Sequence, residues 1–166
     1  YLDFSNCKRL QYATVQLRNL GKMKMKGSNG LRSLDLETYY PEDSTIRKVD
    51  VSRMRDLVFL NLSGSKISQL SVKNNKKLEV LNVHGTNLKK LNLSVNKKLQ
   101  TLDVGSTKIK KLDLSANKKI RELDVSHTKI RTLNLSANKK IREFRCGNNR
   151  ITKMFSLPNP ERVELL

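Results

Sequence analysis

Apolar residues recur along this chain at fixed places in a unit of 21 residues. The segments LEVLNVHGTNLKKLNLSVNKK (78–98), LQTLDVGSTKIKKLDLSANKK (99–119) and IRELDVSHTKIRTLNLSANKK (120–140) follow one another without a gap. One step upstream stands LVFLNLSGSKISQLSVKNNKK (57–77), and one step downstream the unit restarts at Ile141. Counted from each leading Leu or Ile, slots 1, 4, 6, 11, 14 and 16 are apolar. The alternation around slots 4 and 6 has a period of two, which predicts a short strand with side chains pointing alternately in and out. A second Leu-x-Leu at slots 14 and 16 predicts short extended or turn-like segments opposite that strand. No stretch sustains a helical period, so little helix is expected.

The register runs back toward the N-terminus. Leu31, Leu34 and Leu36 open a longer unit, interrupted at 41–45 around Pro41, Glu42, Asp43 and Ser44 before Ile46. Leu10, Ala13, Val15, Leu20, Met23 and Met25 fill the same slots one unit earlier, and Leu2 and Phe4 are the tail of a unit whose start is missing. We therefore expect a single domain over 1–166 with about seven repeats, an insertion and an incomplete N-terminal repeat, cut from a longer protein or lacking a cap. One unit cannot fold alone. Six aliphatic side chains contribute about 9–18 kcal/mol by burial, whereas ordering 21 backbone residues costs roughly 1–2 kcal/mol each. Stacking resolves the deficit, because neighbours share apolar faces and a parallel ladder of hydrogen bonds.

Composition sharpens this picture in one respect. Lys and Arg number 34 against 15 acidic residues, a formal charge of +19. Such an excess suits a polyanionic partner or a strongly solvated surface. Cys7 and Cys146 make neither a disulfide framework nor a metal site, and more than six repeats of stack separate them. No run approaches the roughly 20 apolar residues of a membrane span.

The string LxxLxVxxTxI followed by LxLSxNKK resembles the leucine-rich-repeat family, and does so from residue 2 to about 157. The 21-residue spacing with its second, nested LxL is similar to the repeats of bacterial surface proteins of that family. The resemblance implies a solenoid with a parallel β-sheet on its concave face, and binding of a protein or glycan, often outside the cell. One departure stands out. The slot that holds Asn in the family carries Ser65, Thr86, Thr107 and Thr128 here, and only Asn149 conforms. Asn recurs instead at slot 19, as Asn75, Asn96, Asn117 and Asn138, which reads as a buried structural ladder.

The candidate ligand face consists of outward strand residues. Slot 3 runs Tyr12, Ser33, Phe59, Val80, Thr101, Glu122 and Glu143, and slot 5 runs Thr14, Asp35, Asn61, Asn82, Asp103, Asp124 and Arg145. Phe59 beside Val80, flanked by Tyr12, makes a small apolar patch, with cover by Tyr39 and Tyr40 of the insertion as the plain alternative. Farther along, Asp103, Glu122, Asp124 and Glu143 alternate with Arg121, Arg142 and Arg145, which predicts cross-strand ion pairing. The candidate ligand residues are Tyr12, Phe59, Val80, Asn82, His84, Asp103, Glu122 and Asp124.

The lysines fall elsewhere. Slots 20 and 21 carry Lys97, Lys98, Lys118, Lys119, Lys139 and Lys140, a candidate polyanion rim, and slots 10, 12 and 13 add a second basic row including Lys108, Lys110, Lys111, Lys129 and Arg131. Lysine at turn positions is equally a solubilising surface that repeats duplicate. Nucleic acid is disfavoured, since aromatics make up only 5% and do not interleave with the basic rows. His84 and His127 lie two repeats apart, about 10 Å along the stack, too far to share a metal. No phosphate loop, nucleophile elbow or zinc-helix motif is present. The N-L-S sequons at Asn61, Asn92 and Asn134 fall in the repeat consensus. The sequence thus points to a non-enzymatic recognition module without cofactor or metal, extracellular or on a bacterial cell surface, that binds a protein or glycan through its strand face. The alternatives are a spacer segment of a larger surface protein, or a binder of anionic polymers through the lysine rims.

Overall fold

The computed structural model describes all residues except 1, 6, 17–22, 26, 39–43, 157–161 and 165–166. Among the described residues the regular secondary structure is entirely β-strand. In chain order the strands are β1 (Leu2–Asp3), β2 (Tyr12–Thr14), β3 (Met23–Lys24), β4 (Ser33–Asp35), β5 (Phe59–Asn61) and β6 (Val80–Asn82). They continue as β7 (Thr101–Asp103), β8 (Glu122–Asp124), β9 (Thr132–Asn134), β10 (Glu143–Arg145), β11 (Lys153–Phe155) and β12 (Arg162–Glu164). Eight of them form one parallel sheet in the order β12-β10-β8-β7-β6-β5-β4-β2. The expected solenoid is therefore present, one strand per coil at slots 3–5.

The register is that of the repeat. Leu60, Leu81, Leu102 and Leu123 pair in succession, as do Phe59, Val80, Thr101 and Glu122. The slot 4 residues face inward and are fully covered, with Phe144 closing the row. Slots 1, 6 and 11 join them in one continuous core. The ladder extends past the three-residue strands, since the slot 6 N–H groups of Leu62, Val83, Val104 and Val125 each donate to the carbonyl of slot 5 in the next coil. The insertion does not break this register: β4 pairs directly with β5. Leu20, Tyr39, Tyr40 and residues 41–43 lie outside the described residues, so the cover expected from the two tyrosines falls there too. Ser44, at the insertion's end, is buried.

The opposite side is built differently. Among the described residues, strand pairs form there only near the two ends, β1 with β3 and β9 with β11. Among the described residues, no main-chain hydrogen bond joins slots 12–16 of the coils 78–98, 99–119 and 120–140. Side-chain amides take over. The Nδ2 of Asn96 donates to the carbonyls of Val72 and Asn75, that of Asn117 to Leu93 and Asn96, and that of Asn138 to Leu114 and Asn117. These asparagines are 0% exposed. The buried ladder read from slot 19 is thus a column of stitches, each binding one coil to the one before it. A stack joined by main chain on one side and by side chains on the other is held more closely on its strand side.

Slot 9 explains the departure from the family pattern. The hydroxyls of Ser65, Thr86, Thr107 and Thr128 donate to the carbonyl three residues back in their own coil, at 2.6 to 2.9 Å. Asn149 does this and reaches farther: its Nδ2 donates to Cys146 three residues back and to Val125 in the preceding coil, and its Oδ1 accepts the Thr128 N–H. Hydroxyl residues close a turn within a coil, and an amide is long enough to cross between coils.

Candidate functional site

The outward face of the eight-stranded sheet carries every residue singled out as a ligand contact, in the rows the repeat dictates. Tyr12 stands at one end and is 67% exposed. Its strand neighbour is Ser33, and Phe59 follows on the next strand. Tyr12 and Phe59 are therefore two strand spacings apart, about 10 Å, rather than in contact through the sheet. Phe59 and Val80 are direct cross-strand partners and both are half-buried. Phe155, the other exposed large apolar residue, lies off this face on β11, with the Lys153 ammonium 4.8 Å from its ring centroid.

The middle of the face is polar and more ordered than its composition suggested. The Asn and Asp side chains at slot 5 act alike, each accepting the N–H two residues ahead at the corner where the chain leaves the strand. Asn61 accepts from Ser63, Asn82 from His84, Asp103 from Gly105 and Asp124 from Ser126, at 3.1, 2.9, 2.8 and 2.7 Å. Asn and Asp favour this local turn because a short side-chain oxygen mimics a backbone acceptor. The motif recurs at the second corner, where Asn92, Asp113 and Asn134 accept from Ser94, Ser115 and Ser136. Asn61 is buried rather than displayed.

The carboxylates of Asp103 and Asp124 are thus engaged by main-chain N–H groups of their own coils. The Asp124 carboxylate also takes the Ser126 hydroxyl at 2.6 Å. The Arg145–Glu143 pair, at 3.3 Å, runs along one strand. Glu122 accepts a hydrogen bond from the Thr101 hydroxyl at 3.2 Å.

One cluster gathers three of the candidate residues. His84 Nδ1 lies 3.4 Å from Asp103 Oδ1 across the coil boundary. Gly105 leaves the space for it: a Cβ there would sit 2.8 Å from His84 Nδ1, 3.1 Å from Asp103 Oδ1 and 3.2 Å from Asp124 Oδ1. The hydrogen bond with Asp103 raises the His84 pKa above its ordinary value, partial burial opposes that, and the charges of Asp103 and Asp124 add to the rise. His127 is elsewhere, exposed and facing Asn148 at 3.4 Å. Among the described residues no group of three His, Cys, Asp or Glu is placed to hold a metal ion. Cys146 is buried and its thiol pKa is pushed up by desolvation, while Cys7 is exposed; both are free.

The rim lysines Lys97, Lys98, Lys118, Lys119, Lys139 and Lys140 are all exposed. Their column is not cationic throughout. Asp56 stands in slot 21 one coil before Lys77 and pairs with it at 2.5 Å, a contact not anticipated from the sequence although the acid stands openly in register.

No protein-family model and no curated protein matches the chain. Solved structures do. The functional domain of InlJ from Listeria monocytogenes, which includes a cysteine ladder, superposes with a TM-score of 0.77 at 21% identity, over 99% of this chain and 41% of that one. An internalin, InlF, from the same organism gives 0.74 at 18% identity, over 98% and 51%. The leucine-rich-repeat domain of APL1B gives 0.70 at 16% identity, over 92% and 47%. The chain spans about half or less of the length of each of these structures. With the parallel sheet, the 21-residue coil and the inward leucines, these likenesses show that the chain has the leucine-rich-repeat solenoid fold in the form that internalins take.

Proposed function

We propose that the chain is a non-enzymatic recognition module of a bacterial surface or secreted protein, which binds a protein or glycan through the strand face. One observation carries this reading. The buried slots repeat nearly unchanged from coil to coil, whereas outward slot 3 changes from Tyr12 through Ser33, Phe59, Val80 and Thr101 to Glu122 before it repeats at Glu143. A face shaped only for stacking has no need to vary. The face offers an apolar patch at Phe59 and Val80 and a polar centre at His84, Asp103 and Asp124, the mixture of anchor and orienting groups that recognition uses. Asn82 has less to offer a ligand, since its Oδ1 already accepts the His84 N–H. No helix among the described residues is long and apolar enough to cross a membrane.

The test is binding to an array of purified cell-surface glycoproteins and glycans. We expect the double variant Phe59→Ala/Val80→Ser to lose binding at least tenfold with its secondary structure unchanged, and Gln69→Ala, exposed and outside the strand face, to bind as the parent. Retention of binding by the double variant would remove the strand face from consideration. Failure of the parent to bind anything would favour a spacer role.

A further inference from the structure

A groove lies on the opposite side of the stack, where the main-chain ladder lapses. Between the coils 78–98, 99–119 and 120–140 the surface opens into a groove of about 1160 Å³. The cause is local. Strand β9 pairs with β11 on its far side, but its near edge faces 111–113, which form no ladder with it. The groove floor includes Leu91 and Leu112, which are 9% and 8% exposed, whereas the other buried leucines are at 2% or less; Leu70, in the same slot one coil earlier, is only half-buried. The repeat therefore leaves apolar surface uncovered here.

The walls are cationic. Lys110, Lys111, Lys129, Arg131 and Arg150 line the groove, and none of them makes an ion pair among the described residues. Against these five cations stands one carboxylate, Asp113, which is already engaged by the N–H of Ser115 at 2.9 Å. Hydroxyl and amide side chains such as Ser94, Thr132 and Asn92 complete the lining with the imidazole of His127, and no Phe, Tyr or Trp is among them.

We propose that this groove binds a segment of a linear anionic polysaccharide, with sulfate or carboxylate groups on its sugar rings. The chemistry selects that class. Guanidinium and ammonium groups complement sulfate or carboxylate, hydroxyl and amide groups complement sugar hydroxyls, and the leucine floor complements the apolar faces of the rings. The volume exceeds the roughly 300–1,000 Å³ of compact small-molecule sites, which suits a chain segment. Single-stranded nucleic acid favours a series of aromatic platforms for successive bases, and the groove offers no Phe, Tyr or Trp and a single imidazole, His127. The site is distinct from the strand face, and its outcome is independent of what that face binds. It also differs from the slot 20 and 21 lysines, which are exposed on turns that do not line the groove.

The experiment uses a size-defined heparin hexasaccharide titrated into the chain at 150 mM salt. The groove variant Lys110→Gln/Lys111→Gln/Arg131→Gln is compared with the rim variant Lys97→Gln/Lys118→Gln/Lys139→Gln, which removes the same charge. We expect at least a tenfold loss of affinity in the groove variant and less than a twofold loss in the rim variant. In the parent chain, the methyl resonances of Leu91 and Leu112 should shift on titration while those of Leu60 and Leu81 stay in place. Equal losses in the two variants, or unmoved Leu91 and Leu112 methyls, would overturn the site. An oligothymidylate of equal charge that binds as tightly as the hexasaccharide would overturn the assignment to a polysaccharide.

Discussion

At the scale of single residues, the slot 19 asparagines carry more than their size suggests. Both amide hydrogens of Asn117 are used, toward Leu93 at 3.1 Å and Asn96 at 2.9 Å, while its buried Oδ1 meets no donor. The side chain stabilises through its donors alone. Asn117→Ala leaves two carbonyls without their side-chain donor and should cost about 2–4 kcal/mol, at roughly 1–2 for each partner lost. Asn92→Ala removes one exposed turn contact, 3.0 Å long, and should cost well under half as much. Equal urea midpoints for the two variants would refute the ladder. His84 gives a second test at this scale. Its raised pKa means that the folded chain holds the imidazole proton more tightly than the unfolded one. That stabilisation is fully present below the ordinary value of 6.5 and is lost as pH rises through the higher folded value. The melting temperature of the parent should therefore exceed that of His84→Asn at pH 5.5, with the gap closing by pH 8. A gap that widens with pH would contradict the Asp103 contact.

At the scale of the coil, the inward leucines, the strand at slots 3–5 and the slot 19 ladder were all legible in the sequence, because burial and periodicity leave a mark on residue type. The corner hydrogen bonds were not. Asp103 and Asp124 read as display residues because an acidic side chain on an outward slot looks the same whether it meets solvent, an arginine or the N–H two residues ahead. The groove was equally invisible, since Leu91 and Leu112 repeat the consensus and only the lapse of main-chain pairing distinguishes their surroundings. Slot 8 shows how backbone conformation hides as well. Gly64, Gly85, Ser106, His127 and Asn148 all adopt positive φ there, so His127 occupies a turn position rather than a designed ligand site. The two glycines differ in what surrounds them. A Cβ on Gly64 would collide with the Thr38 carbonyl oxygen, at the edge of the insertion, whereas one on Gly85 meets nothing nearer than 3.7 Å. Gly85→Ala should cost about 1–2 kcal/mol from the left-handed conformation alone. Gly64→Ala should cost at least about twice that, measured by urea unfolding. Similar values for both would mean that the insertion does not press on the coil at Thr38.

At the scale of the whole molecule, the net charge of +19 is distributed by the repeat rather than at random. Lysines at one slot come to lie in a column on successive coils, spaced by roughly 5 Å on the strand side, inside the Debye length of about 8 Å at physiological salt. Folding therefore brings like charges together that the unfolded chain keeps apart, and a column of cations opposes the stack it decorates. The slot 21 column supplies its own control. From Asp56, which lies 2.5 Å from Lys77 and whose own pKa is lowered by that contact, it continues through Lys98, Lys119 and Lys140 without another acid. Lys119 has a cation on either side in the column, whereas Lys77 has an acid on one side. Replacing Lys119 by Gln relieves repulsion and should raise the melting temperature by about 1–2 °C at 20 mM salt, a shift typical of single surface changes in a domain of this size. Replacing Lys77 by Gln removes an attraction together with a repulsion and should leave it unchanged or slightly lower. Added salt screens both terms, so the difference between the two variants should shrink by 300 mM. If Lys77→Gln and Lys119→Gln raise the melting temperature equally at low salt, the order of charges within the column has no energetic consequence, and the lysines oppose folding only through the net charge of the chain.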